Sequence, residues 1–169
     1  MIIRRETPSE FGKIYELVKT AFQTAKVSNG KEQEYVDELR SGGNYIPELA
    51  LVAEEEGELV GHIMLTKAHI INEQNQADVL LLAPISVVEQ YRHQGIGSAL
   101  IHMSFKLARE MGFKAVVLVG DPNFYNRFGF KTAAQFGVKS THPIPDENVM
   151  VCELIPNSLE GVNGKVDCF

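Results

Sequence analysis

Between Val79 and Gly112 an apolar extended run, a polar turn with two glycines and an amphipathic helix follow one another without a break. That order constrains the fold most, because a buried strand leading straight into a helix commits the chain to a sheet with a helix packed on it. Val79 to Val88 is apolar almost throughout, as expected of a central strand covered on both faces. Pro84 interrupts it. A proline has no N–H for a ladder, so it predicts a bulge or a local parting of strands. After the turn, Ile96, Ala99, Leu100, Met103, Leu107 and Met111 line one helix face while Lys106, Arg109 and Glu110 face water.

The turn reads Gln90-Tyr91-Arg92-His93-Gln94-Gly95-Ile96-Gly97-Ser98. Glycines there let the main chain approach an anion closely. The first-turn N–H groups near Gly95, Gly97 and Ser98 have no intrahelical partner, and the helix dipole assists them. Arg92 is set to add a charged contact. The pattern predicts a pyrophosphate and hence a phosphorylated nucleotide cofactor, although two glycines alone also suit a plain tight connection. A dinucleotide fingerprint fails, because Leu100 stands where a third small residue belongs and the turn lies mid-chain. A P-loop fails too, since no Gly-Lys-Ser or Gly-Lys-Thr follows.

The flanks supply the remaining elements. Met1 to Arg5 reads as a strand, and Thr7-Pro8-Ser9-Glu10 as a capped helix start ahead of Phe11, Ile14, Val18, Ala21 and Phe22. Asn29 and Glu32 open a second helix that Ser41-Gly42-Gly43 stops. Leu49 to Ala53 and Leu59 to Thr66 form a hairpin around the polar turn Glu54-Glu55-Glu56-Gly57-Glu58, and Asn72 to Ala77 is a second polar break. Ala115 to Val119 is a strand. A short helix begins at Asp121-Pro122-Asn123 and ends at Gly129; one or two strands follow, with Asn148 to Ile155 the clearer. The sum is an α/β (α+β) mixed sheet covered by helices, in one domain spanning 1–169 with a core over about 1–156 and a loosely packed tail over 157–169.

A net charge of -6 argues against nucleic acid or an anionic membrane as the main partner. The N-terminus carries no signal-peptide pattern and no apolar stretch reaches spanning length, so a cytoplasmic location is expected. Cys152 reads as a buried free thiol and Cys168 as a packed one, too few for a disulfide framework. His69, His102 and His142 lack metal-site spacing, so no metal is expected. No Ser-His-Asp or Cys-His nucleophile pattern stands out.

Arg92-His93-Gln94-Gly95-Ile96-Gly97 resembles the Arg/Gln-x-x-Gly-x-Gly/Ala motif of the GNAT superfamily of acetyl-coenzyme A-dependent N-acetyltransferases. Asn123-Phe124-Tyr125-Asn126-Arg127-Phe128-Gly129-Phe130 resembles the family's Phe-Tyr-x-x-x-Gly-Phe signature, one helix and one strand downstream. Val60-Gly61-His62-Ile63 and Val119-Gly120-Asp121-Pro122 look like the YhbS-type branch, and the likeness covers nearly the whole chain. It implies the GNAT acyl-CoA N-acyltransferase fold, ordered β-α-α-β-β-β-α-β-α-β-β, with a mostly antiparallel sheet and one splayed parallel pair at Pro84. It also implies acetyl transfer from acetyl-CoA, as co-substrate, to a primary amine of a small molecule or peptide by direct attack. On that resemblance Ile85, Val87 and Val88 offer main-chain contacts to the pantetheine arm of coenzyme A. Arg92, His93, Gln94, Gly95, Gly97 and Ser98 hold the pyrophosphate, and Asn123 and Tyr125 also touch the cofactor. Tyr125 protonates the departing thiolate; the base is left open between Glu48, directly or through water, with His62 as a relay, and a water chain. A homodimer is common in the family. A longer acyl group, or coenzyme A sensing without catalysis, are the alternatives.

Overall fold

Helix and strand periodicity resolves into four helices and nine strands in the computed structural model, which describes residues 1–25 and 28–168. The chain falls into two units, Met1–Thr66 with Ala83–Leu107, and Lys67–Leu82 with Ala108–Phe169. Among the described residues no helix is long and apolar enough to cross a membrane.

In the first unit β1 (Ile2–Arg5) pairs antiparallel with β2 (Ala50–Glu55), which pairs antiparallel with β3 (Glu58–Ile71). The β2–β3 turn is Glu56-Gly57, both at positive φ, so Glu54 and Glu55 belong to the strand and not to the expected polar turn. β3 in turn neighbours β4 (Gln76–Val87). α1 (Phe11–Phe22) and α2 (Glu32–Ser41) follow β1. Ile14, Leu17 and Val18 of α1 and Val36 of α2 bury against Ala50, Val52 and Met64. Glu10 secures the entry to α1, its Oε1 accepting from both the N–H and the hydroxyl of Thr7. α3 (Ile96–Glu110) begins in this unit, with Ile96, Leu100, Ile101 and Phe105 buried.

In the second unit β4 pairs parallel with β5 (Ala115–Val119) through Leu80–Val116 and Leu81–Val117. Pro84 lies farther along β4, inside the strand. α4 (Pro122–Tyr125) follows β5. Four short strands come next: β6 (Lys131–Thr132), β7 (Val138–Ser140), β8 (Val149–Glu153) and β9 (Gly164–Val166). The expected one or two strands become four because three of them are too short to show alternation. β8 pairs antiparallel with β5 and β6, while β9 pairs antiparallel with β3 and parallel with β7. The sheet pairing is therefore mixed, as expected.

The loosely packed tail is corrected. Leu159, Val166 and Cys168 are buried, and Asn72 donates to the Asn163 carbonyl at 2.8 Å. Residues that look like loop formers here supply close contact; residue 169 lies outside the described residues.

Candidate functional site

The turn between β4 and α3 has the conformation that its glycines suggest. Arg92 is extended, His93 has φ 62° and Gly95 has φ 84°. The Gly95 carbonyl accepts from Ala99 N–H at 3.0 Å, so the amides of Ile96, Gly97 and Ser98 precede the helical ladder. His93, Gln94 and Gly95 are exposed, while Gly97 and Ser98 are half-buried. Beneath them the helix is anchored: a Cβ on Gly61 of β3 would lie 3.0 Å from Leu100 and 3.1 Å from Ile96. The result is a helix N-terminus packed on β3 whose first amides lie outside the helical ladder, an arrangement that attracts anions.

Arg92 does something other than expected. Its Nη2 donates to the Ala21 carbonyl at 2.7 Å, its Nη1 to Thr24 Oγ1 at 2.8 Å and its Nε to the Val87 carbonyl at 3.2 Å. The guanidinium ties the turn to the end of α1, because carbonyls at a helix C-terminus lack intrahelical donors. Val88 is likewise tied down within the protein. Its N–H is taken by the Val60 carbonyl at 2.9 Å and its carbonyl accepts from Tyr91, so its amide is engaged within the protein. Ile85 and Val87 are half-buried on the same stretch.

In the second unit Tyr125 is held by shape. Phe124 and Phe130 meet its ring edge-on, with centroids 4.9 and 5.8 Å away. Gly120 backs it so closely that a Cβ there would collide with the ring. Asn148 fixes Gly120 from both sides, its carbonyl accepting from Gly120 N–H at 2.9 Å and its Nδ2 donating to the Gly120 carbonyl at 3.1 Å. The Tyr125 hydroxyl makes no hydrogen bond among the described residues. Burial, seconded by the negative charge of Asp121, pushes its pKa up to about 12, so the phenol keeps its proton at neutral pH. Asp121 caps α4, accepting from Asn123 N–H at 2.9 Å. Asn123 therefore is not the cap, and its side chain is exposed.

A polar cluster escaped sequence reading. Glu6, just past β1, accepts from Arg40 at 2.7 and 2.9 Å and from Tyr45 at 2.8 Å, and lies 2.9 Å from His62 Nε2. The Glu6 side chain is fully buried. Burial alone would raise its pKa, but the bonds from Arg40, His62 and Tyr45 outweigh that and hold it near 2. His62 is pushed below the usual imidazole range by burial, against the pull of Glu6. The local sequence carries no sign of this, because the partners lie 34 to 56 residues away. Glu48 stands half-buried in the turn Pro47–Leu49 and makes no hydrogen bond or ion pair among the described residues.

Comparison with known proteins shows the family of the chain. Residues 2–133 match the family model described as an acetyltransferase (GNAT) domain. The chain is 32% identical over 168 residues to the uncharacterized N-acetyltransferase YhbS of Escherichia coli K12, covering 99% of this chain and 95% of that one. It is 33% identical to YjhQ of the same strain, an uncharacterized N-acetyltransferase, over 75% of this chain and 70% of that one. The crystal structure of E. coli YhbS in complex with CoA superposes with TM-score 0.87 at 29% identity, covering 98% of this chain and 88% of that one. A GNAT family acetyltransferase from Brucella melitensis in complex with acetyl-CoA gives TM-score 0.79 at 30% identity, covering 98% and 94%.

Proposed function

The chain belongs to the GNAT acetyltransferase family, and we propose that it moves the acetyl group of acetyl-coenzyme A onto a primary amine of a small molecule or peptide. One observation carries the reading: the turn at His93 to Gly95 brings the Ile96, Gly97 and Ser98 amides forward without intrahelical partners. Such a terminus favours a diphosphate, and the E. coli and Brucella relatives hold coenzyme A and acetyl-coenzyme A. In this reading those amides bind the pyrophosphate, with His93 and Gln94 beside it and Arg92 fixing the turn from behind. The main chain of Ile85 and Val87 borders the pantetheine arm, and exposed Asn123 reaches the cofactor beside Tyr125.

The acceptor nitrogen attacks the thioester carbon, forming the C–N bond as the C–S bond breaks. Charge gathers on the carbonyl oxygen, where one aimed backbone N–H is worth roughly 3 kcal/mol. Tyr125 gives its proton to the departing thiolate; a phenol still protonated at neutral pH is suited to that. For the proton leaving the amine the first unit offers Glu48 and His62. The net charge of -6 favours a cationic acceptor.

The test is a free-thiol release assay with acetyl-coenzyme A against simple amines, aminoglycosides, polyamines and short peptides. Amine-dependent release is the expected result. Coenzyme A binding without release for any amine would make the chain a binding protein, and absence of both would remove the assignment.

A further inference from the structure

Among the described residues two buried side-chain polar atoms have no hydrogen-bond partner, His62 Nδ1 and Ser86 Oγ. His62 is fully buried and Ser86 is 4% exposed. They are neighbours across two strands. Val88 N–H donates to the Val60 carbonyl, and a Cβ on Gly61 would lie 3.3 Å from the Ser86 carbonyl oxygen. Antiparallel pairing counted from that bond sets His62 of β3 opposite Ser86 of β4, on the face where Val88 packs against α1. Cβ atoms of such a pair lie about 5 Å apart. Both atoms are polar, buried and unbonded, and internal waters settle beside such groups.

The other side of the imidazole fixes its tautomer. Glu6 is ionised and already accepts from Arg40 and Tyr45, so it can only accept from His62 Nε2 as well. Nε2 therefore carries the hydrogen and Nδ1 keeps a bare lone pair. The charged and titratable groups around this ring are Glu6 after β1, Arg40 and its partner Asp37 on α2, and Tyr45 before β2. Glu48, by contrast, has no hydrogen-bond or ion-pair partner among the described residues to orient it.

We propose that His62 is the proton acceptor for the attacking amine, acting through the Ser86 hydroxyl and one internal water between Oγ and Nδ1. The inference rests on the acetyl-transfer reading and deepens it. As the C–N bond forms, the proton on the amine nitrogen passes by way of Ser86 and the water to Nδ1. The resulting imidazolium lies 2.9 Å from the Glu6 carboxylate, which stabilises it. The C–S electron pair leaves on sulfur, which takes the Tyr125 proton. His62 then releases its proton to solvent and Tyr125 recovers one, so one proton passes net from amine to thiol. Ser86 relays a proton and forms no bond to the acetyl group.

The test begins with the unaltered protein. Nitrogen-15 NMR of its histidines should show an unprotonated Nδ1 and a protonated Nε2 for His62 at neutral pH; a protonated Nδ1 overturns the proposal. Next, kcat is followed against pH with the amine found by thiol release. The parent kcat should fall as acid protonates the imidazole. His62→Gln keeps an amide N–H for Glu6 but has no Nδ1. It should lower kcat about 100-fold, abolish that acid limb and leave coenzyme A affinity within about twofold. Ser86→Ala should lower kcat about tenfold with the limb retained. A parent-like profile in His62→Gln overturns the proposal. So does loss of the limb in Glu48→Gln alone, or an acetyl group found on Ser86. Should His62→Gln fail to fold, Ser86→Ala and the tautomer decide. Absence of amine-dependent release from the parent sinks the acetyl-transfer reading itself and takes the proposal with it.

Discussion

All the polar residues buried among the described residues, Glu6, Gln33, His62, Thr66, Ser86 and Ser104, belong to the first unit. The buried residues of the second unit are apolar side chains and the two thiols of Cys152 and Cys168, beside which Tyr125 is seated by aromatic rings. The same contrast recurs in their turns. Gly95 is needed for its backbone: φ is 84° and nothing lies within 4 Å of a Cβ placed there. Gly120 has no positive φ and is needed for its missing side chain, because the Tyr125 ring fills that space. One unit therefore holds its chemistry by hydrogen bonds and main-chain conformation, the other by shape. Acid and charge changes should injure the first, and added volume the second.

The largest expected effect is Glu6→Ala, which leaves Arg40 buried beside an uncompensated gap. About 3–5 kcal/mol of stability should be lost in denaturant unfolding; a loss below 1 kcal/mol would break the contrast. Acid should act on the same cluster. Glu6 is held near 2, so its contribution is present above the ordinary carboxylate pKa and disappears as pH falls toward 2. His62 is held below its unfolded value, so it adds a loss that begins as unfolded imidazole gains its proton, near 6.5. Melting temperature should decline from about pH 6 downward, and the further decline below about pH 4, which belongs to Glu6, should be absent in Glu6→Ala.

Next comes Gly120→Ala. Overpacking should cost about 1–3 kcal/mol, and displacement of the phenol should lower kcat about 100-fold with coenzyme A affinity nearly unchanged. Steady-state kinetics beside Tyr125→Phe checks this, since both should fail in the same way. Gly95→Ala follows, with about 1–2 kcal/mol lost to the left-handed backbone and about tenfold weaker coenzyme A binding by calorimetry. The smallest is Gly97→Ala. Its Cβ would meet Val87 Cγ2 at an ordinary 3.8 Å, so stability should move by less than about 0.5 kcal/mol. A Gly97→Ala protein as unstable as Gly95→Ala would mean that space, not conformation, governs the first turn.

What was legible in the sequence was local. The glycine turn, the helix after it and the short segment bearing Tyr125 each announce themselves within about ten residues, because periodicity and turn chemistry act at that range. An arginine before a glycine turn suggests an anion contact, and the acceptors of Arg92 at Ala21 and Thr24 lie 71 and 68 residues earlier, beyond the range of local reading. The Glu6 cluster is hidden for the same reason, its partners lying 34 to 56 residues away. The need for a glycine at 120 shows only in three dimensions, where the Tyr125 ring lies against it. The tail misled by composition, since glycine and asparagine mark loops and also permit close approach.

The most direct measurement follows the backbone amides of Gly95 to Ser98 by NMR while coenzyme A, and then pantetheine, is titrated in. A diphosphate seated on those donors should shift their signals strongly with coenzyme A and only weakly with pantetheine. Signals that stay in place while coenzyme A binds elsewhere would contradict the account.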